Sequence, residues 1–513
     1  MNLFRLLLAA AVLSCALACK KNDGQLSTKI EDRIALDSTA LDAFLAKHPE
    51  FKSYKPQYEE LYRKHSHFYV WYDKDGRIDF AEVLYNRVSQ IGADGVVKPV
   101  PYKAKIDEIF NGSDKAKPER ELLISGMYFF YAQKVLVGVD PKKSKATGWF
   151  LPRDKVDYVA YLDTLLRDPE KIEEDPSENI GQYYDLRKAL RLYREIKSKG
   201  GWGTVDFPKD KKILQPGDSH PAIAQARKRL AATGEMQSDN GSPEYDSDME
   251  HAIAAYRKRN NILGEHLTPM LAAHLSVPVD DRIRTIIVNM ERCRWIAPEI
   301  TESKELIAVN IPAFQLRYFK DGKPVLESNV VVGKEANKTV VFSGQMSYLV
   351  FSPYWNVPKS IVENEIKPDM ERDPDYLAKH NMEWNGELLR QKPGKDNSLG
   401  LVKFMFPNSN NIYLHDTPAK SLFGKDDRAK SHGCVRVEKA RELAIKILEG
   451  DSKWNAKKID AAMNAGTETQ YALNHKIPVY IAYFTAWADS DGHVAFYDDV
   501  YKRDAKLALL LYK

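Results

Sequence analysis

His415-Asp416-Thr417, a gap, and then Ser431-His432-Gly433-Cys434-Val435-Arg436 are the stretch on which the reading of this chain turns. Gly433 permits a tight turn or a close backbone approach directly beside the thiol. His415 closes a predicted strand, Ile412-Tyr413-Leu414. Fifteen residues then separate it from Ser431, enough for a loop to leave the strand and bring Cys434 back beside it. A thiol needs a base or an imidazolium partner within hydrogen-bond reach to act as a nucleophile, and His415 is the candidate. A helix is expected from Glu438 to Leu448. A cysteine close to a helix start is expected to have a lowered pKa, through the dipole and the amide donors there.

Outward from this loop the sequence is rich in short β runs: Val309 to Ile311, Phe314 to Phe319, Ser328 to Val332, Ser347 to Phe351, Asn411 to Leu414 and Val479 to Phe484. From Pro353 to about Leu399 the composition turns to Lys, Glu, Asp and Pro, as in an insertion between strands. Upstream, a helix is expected from Asp280 to Arg294. Before it lie three helices in about sixty residues: Ala222 to Ala232, capped by Asp218 or Ser219, Ser247 to Arg259, and Thr268 to Leu275. From Ile30 to Lys197 apolar residues recur at helical spacing, and the aromatic run Phe68-Tyr69-Val70-Trp71-Tyr72 reads as core.

At 513 residues the chain is too long for one core. A net charge of +4 from 76 basic and 72 acidic residues, without an extended basic block, gives nucleic-acid binding little support. Met1 to Arg5 is a short basic start, and Leu6 to Ala18 is an apolar run too short for a stable span, the pattern of a signal peptide. Ala16-Leu17-Ala18-Cys19 resembles a bacterial lipoprotein signal, with Cys19 rather than Cys15 as the lipidated residue. The mature chain would then keep Cys293 and Cys434. In an oxidising compartment these two either form a disulfide or leave a thiol whose reactivity is used.

His415-Asp416-Thr417 and Ser431-His432-Gly433-Cys434 resemble the signature of the YkuD-type L,D-transpeptidase catalytic domain, and Arg436 that of its long multi-domain branch. Arg294-Trp295, Asn310-Ile311-Pro312, Val330-Val331-Val332-Gly333, Pro353-Tyr354-Trp355-Asn356-Val357-Pro358 and Tyr483-Phe484-Thr485-Ala486-Trp487 extend the resemblance. Leu214-Gln215-Pro216-Gly217-Asp218, Tyr256-Arg257-Lys258-Arg259 and Leu267-Thr268-Pro269 are similar to the three-helix peptidoglycan-binding domain.

The expectation is an α+β, multi-domain protein. It comprises a signal peptide (1–18), a tether (19–30), a helical scaffold (31–205), a peptidoglycan-binding-like module (212–277) and a mainly β catalytic domain (280–513) with a lid inserted at about 353–400.

The resemblance implies two-step acyl transfer on peptidoglycan stem peptides, forming 3→3 cross-links. Cys434 is the nucleophile and His415 the proton acceptor and donor, and the Gly433 and Cys434 N–H groups stabilise the oxyanion. His432, Arg436, Ser431, Tyr354 and Trp355 are candidates for substrate or loop contacts. No metal or other cofactor is expected, and carbapenem-type inhibitors are. The protein is expected to be exported and tethered by Cys19 to the periplasmic side of a bacterial membrane. Rival readings are a zinc site made of the two histidines and the cysteine, a carboxypeptidase or a protein-attachment enzyme on the same scaffold, and a wall-binding lipoprotein without activity.

Overall fold

The computed structural model describes residues 30–512, apart from 113, 114, 152, 154, 155, 174–178 and 301. The signal peptide, Cys15, Cys19 and nearly all of the tether lie outside the described residues. The chain divides into two compact units, one made of residues up to 91 with 99–134 and 156–175, the other of 92–98, 135–155 and 176–513.

The first unit is mainly helical, but the aromatic run read as core, within a region of helical spacing, forms a strand, Phe68–Asp73, flanked in a small sheet by Arg33–Ala35 and Gly76–Arg77. Aromatic and β-branched side chains suit a pleated surface packed on both faces, and Tyr69 to Tyr72 are all buried. Helix Pro118–Ala132 packs against this strand and contributes Glu121, whose carboxylate is fully buried. It accepts hydrogen bonds from the Val70 N–H at 2.6 Å, the Trp71 N–H at 3.1 Å and the Tyr62 hydroxyl at 3.0 Å. Burial outweighs these donors and raises the Glu121 pKa to about 8.

The second unit contains the expected three-helix module: Pro221–Ala232, Ser247–Asn260 and Pro269–Leu275. Ile223, Leu230, Met249, Ile253, Leu267 and Leu271 form its core. Its first cap differs from expectation. His220 Nδ1 accepts from the Ala222 N–H at 3.1 Å, because Asp218 is already engaged by the Gln215 N–H at 2.9 Å.

A nine-stranded sheet follows: β1 (Glu305–Asn310), β2 (Gln315–Lys320), β3 (Lys323–Gly333), β4 (Phe342–Phe351), β5 (Val402–Met405), β6 (Leu414–His415), β7 (Ala429–Ser431), β8 (Val435–Val437) and β9 (Thr469–Ala482). Their order is β7-β3-β8-β6-β5-β4-β9-β1-β2, and β2 also pairs with β3, so the sheet closes on itself. Closure leaves few edges to protect. Ile307, Val309, Leu316, Leu349, Phe404, Leu414, Val435 and Val479 are fully buried between the walls.

The 353–400 insertion leaves from the end of β4 and returns at β5. It has its own three-stranded sheet (Trp355–Asn356, Met382–Asn385, Leu388–Gln391) and a small core of Val357, Ile361, Val362, Ile366 and Leu389. Its two ends are tied together: the Asn397 side-chain amide donates to the carbonyls of Pro353, Gln391 and Lys392 at 3.1, 3.3 and 2.8 Å.

Candidate active site

The loop that carries Cys434 is held between two strands that both use β3. Going into the loop, β7 pairs parallel to β3, with Ser431 opposite Gly333; coming out, β8 pairs antiparallel, with Arg436 opposite Val331. The chain must reverse over Ser431 to Val435, and Gly433 absorbs the reversal at φ +122°. Ser431 anchors the turn: its hydroxyl donates to the Cys434 carbonyl at 2.6 Å and accepts from the Gly433 N–H at 3.1 Å. Thr339 Oγ1 donates to the Gly433 carbonyl at 2.8 Å, and Thr339 is itself bonded to the Gly333 N–H and the Tyr501 hydroxyl.

His415 comes beside this loop because β6 pairs parallel to β8, Leu414 opposite Val435 and His415 opposite Arg436. Directly paired residues share a face and successive residues alternate. Leu414 and Val435 therefore point into the core, while Tyr413, His415, Cys434 and Arg436 share the other face. Side-chain coupling agrees with this placement. Tyr413 and the Cys434 thiol shift each other's pKa, the Tyr413 and His415 rings lie 5.7 Å apart, and the Arg436 charge acts on both His415 and Cys434.

The His415 ring Nδ1 lies 2.5 Å from the Asp416 carbonyl. A carbonyl can only accept, so Nδ1 carries the proton and Nε2 is left as the basic nitrogen. Burial, reinforced by the Arg436 charge, lowers the His415 pKa to about 4. The base is therefore neutral near pH 7.

The thiol differs from the expectation of a lowered pKa. The residues after Cys434 form β8, and the helix starts later, at Ala440. No helix N-terminus stands at the sulfur, and burial pushes the Cys434 thiol up, against opposing contributions from Tyr413 and Arg436. Its Sγ faces the Asn411 carbonyl at 3.7 Å. The resting pair is thus thiol and neutral imidazole.

Of the other predicted residues, the Gly433 N–H is taken by Ser431 and does not stand free as an oxyanion donor. The role expected of the two amides passes to Cys434, whose N–H has no acceptor among the described residues. Arg436 shares this face, and its charge acts on the Cys434 sulfur. His432 turns to the insertion, with Nε2 2.7 Å from Glu365 Oε1. Trp355 packs against the core of the insertion. Tyr354 donates its N–H to Glu468 at 2.7 Å and carries the Arg390 guanidinium 4.1 Å over its ring. Cys293 and Cys434 are both free, and Cys293 is fully buried, its thiol pushed up by burial. Among the described residues, His432, His415 and Cys434 do not gather as metal ligands. Tyr413 was missed in the sequence. Its only signal there is its position two residues before His415, which on a strand means the same face.

A thiol, a tautomer-fixed imidazole and a loop amide on one strand face are the groups that cysteine acyl-transfer chemistry requires. Residues 304–460 match the family described as the L,D-transpeptidase catalytic domain, YkuD, and residues 56–190 match the Scaffold domain. The chain thus carries a region that matches a YkuD-type L,D-transpeptidase catalytic domain and, upstream of it, one that matches a Scaffold domain.

A provisionally named L,D-transpeptidase of Haemophilus influenzae is 33% identical over 245 residues, which cover 44% of this chain and 49% of that protein. The match thus spans about half the length of that relative. Among solved structures, an L,D-transpeptidase from Mycobacterium smegmatis is 13% identical, with 35% of this chain and 58% of that one covered and a TM-score of 0.20. One from Stackebrandtia nassauensis is 12% identical, covering 55% and 96%, with a TM-score of 0.22.

Proposed function

We propose that this chain forms 3→3 cross-links between peptidoglycan stem peptides through a thioester on Cys434. The observation that carries the reading is the parallel pairing of β6 with β8, which puts His415 and Cys434 on one face with the Nε2 of His415 left basic.

In the first step the Cys434 sulfur attacks the carbonyl of the third residue of a donor tetrapeptide. His415 Nε2 takes the thiol proton as the C–S bond forms and gives it to the amine of the departing D-Ala as the C–N bond breaks. The Cys434 N–H faces the developing oxyanion. In the second step the side-chain amine of a diamino acid in a neighbouring stem attacks the thioester: His415 takes the amine's proton, the C–S bond breaks as the new amide C–N bond forms, and the proton returns to the Cys434 sulfur.

Arg436 and Tyr413 stabilise the sulfur as it gains charge. The three-helix module would hold glycan near the site, Cys19 would tether the protein by lipid to the periplasmic side of a bacterial membrane, and a carbapenem would acylate Cys434.

The test is incubation of the protein and its Cys434→Ala variant with purified disaccharide-tetrapeptide, followed by mass spectrometry. A 3→3 dimer and free D-Ala from the wild type alone are expected. Tripeptide without dimer would reassign the enzyme as a carboxypeptidase, and no D-Ala at all would sink the acyl-transfer reading.

A further inference from the structure

On the face that carries His415, the sheet register sets one row of side chains across five strands. Arg436 of β8 is opposite His415 of β6, His415 is opposite Lys403 of β5, Lys403 is opposite Val350 of β4, and Val350 is opposite Gln470 of β9. Directly opposed residues have Cβ atoms about 5 Å apart and project to the same side. The base is therefore flanked by two cations, Arg436 on the side of the nucleophile and Lys403 on the other.

The two cations are not equivalent. Arg436 is coupled to the Cys434 sulfur. Lys403 is half-buried, and its ammonium has no hydrogen bond or ion pair among the described residues. Glu468 is close enough to favour its charge, but Glu468 receives the Tyr354 N–H and makes no ion pair with Lys403. Burial works against the charge, lowering the Lys403 pKa from its ordinary value. A half-buried ammonium without an ion-pair partner is a place for an anion that the protein does not itself supply.

The chemistry of the proposed reaction, on which this inference rests, identifies that anion. As the thioester forms, the C–N bond to the terminal residue breaks and His415 delivers the thiol proton to the departing amine. The terminal carboxylate is two bonds from that amine nitrogen. An amine placed at His415 Nε2, on the side away from Cys434, directs its carboxylate along the row toward β5. We propose that Lys403 binds the free terminal carboxylate of the acyl donor and so selects donors that end at the residue being expelled. Lys403 is then the specificity-determining residue on the leaving-group side of the base, and Arg436 serves the acyl side.

The experiment compares two donors on the full chain: a disaccharide-tetrapeptide with a free terminal carboxylate, and the same compound with a terminal carboxamide. Release of D-Ala or D-Ala amide is followed by mass spectrometry as kcat/KM. The wild type is expected to prefer the acid by about tenfold or more, the range of one charge-assisted hydrogen bond. Lys403→Met should bring the acid donor down to the level of the amide, with the amide rate held within about threefold, and Lys403→Arg should keep most of the preference.

Equal losses on both donors in Lys403→Met would mark a structural role and overturn the assignment, as would a wild type that does not discriminate. If Lys403→Met does not fold, the wild-type ratio and the Arg variant decide. A wild type that releases neither amine overturns the acyl-transfer reading itself, an outcome distinct from an acid-to-amide ratio near one.

Discussion

The reactive pair is set by single contacts. The Asp416 carbonyl fixes the His415 tautomer, burial with Arg436 keeps the ring neutral, and burial keeps Cys434 protonated. This differs from the preformed thiolate and imidazolium pair of many cysteine enzymes, and the difference is measurable. Alkylation of Cys434 by iodoacetamide should rise about tenfold per pH unit through neutrality and on toward the raised thiol pKa, because the thiolate fraction grows in that proportion; a plateau near pH 6 would contradict the assignment. Tyr413→Phe removes a hydroxyl that opposes the rise in the Cys434 pKa and should slow alkylation at pH 8 about threefold or more. His415→Ala should reduce transpeptidation by roughly 100-fold or more, measured as D-Ala release.

At the scale of elements, the site depends on how β5 and β6 are seated. Gly400, just before β5, has φ +63°, and a Cβ there would meet the Asp416 carboxylate at 2.4 Å. That carboxylate accepts from the Leu401 N–H at 3.0 Å and from Lys420 at 2.6 Å, and the Asp416 N–H donates to the Val402 carbonyl at 2.9 Å. Gly400→Ala should therefore lower stability by about 1–3 kcal/mol, read as a denaturant midpoint. It should also cut the rate more than the loss of folded protein explains, because it displaces the residue that orients His415.

Some of these elements were legible in the sequence and others were not. The three helices of the second unit were readable because apolar spacing, Pro at the first turn and polar caps agree. The insertion was legible from a change in composition. Strands β5, β7 and β8 were not, because each is three or four residues long and none shows a full alternation. The run at Phe68 was legible as core but its strand was not, because helical spacing dominates the surrounding sequence, although its own residues favour strand. The histidine and cysteine were recognisable by spacing. The thiol's environment was not, because Glu438 looked like a helix start and the strand Val435–Val437 between it and Cys434 was too short to see.

At the scale of the whole molecule, the two units should respond differently to pH. Glu121, in the first unit, has its pKa raised from an ordinary 4.5 to about 8. Between these values the folded state holds a proton that the unfolded state has released, so stability is greatest below about 4.5 and falls as pH rises through about 8. The unfolding midpoint of the first unit should therefore drop between pH 5 and pH 8, and Glu121→Gln, which cannot ionise, should flatten that slope. Calorimetry over this range checks it: an unchanged slope in the variant would assign the effect to other groups.

The tie made by Asn397 has an evolutionary consequence. The Ser352 N–H donates to the Leu401 carbonyl at 2.9 Å and Phe351 pairs with Val402, so β4 and β5 are the two arms of one hairpin and the insertion is its loop. Each doubling of such a loop adds only about 0.6 kcal/mol of closure entropy. A segment of another length or composition can replace residues 354–396, inside the Asn397 tie and short of Gly400, without moving Lys403. The insertion is an exchangeable cassette, free to diverge while the strands beneath it keep their register.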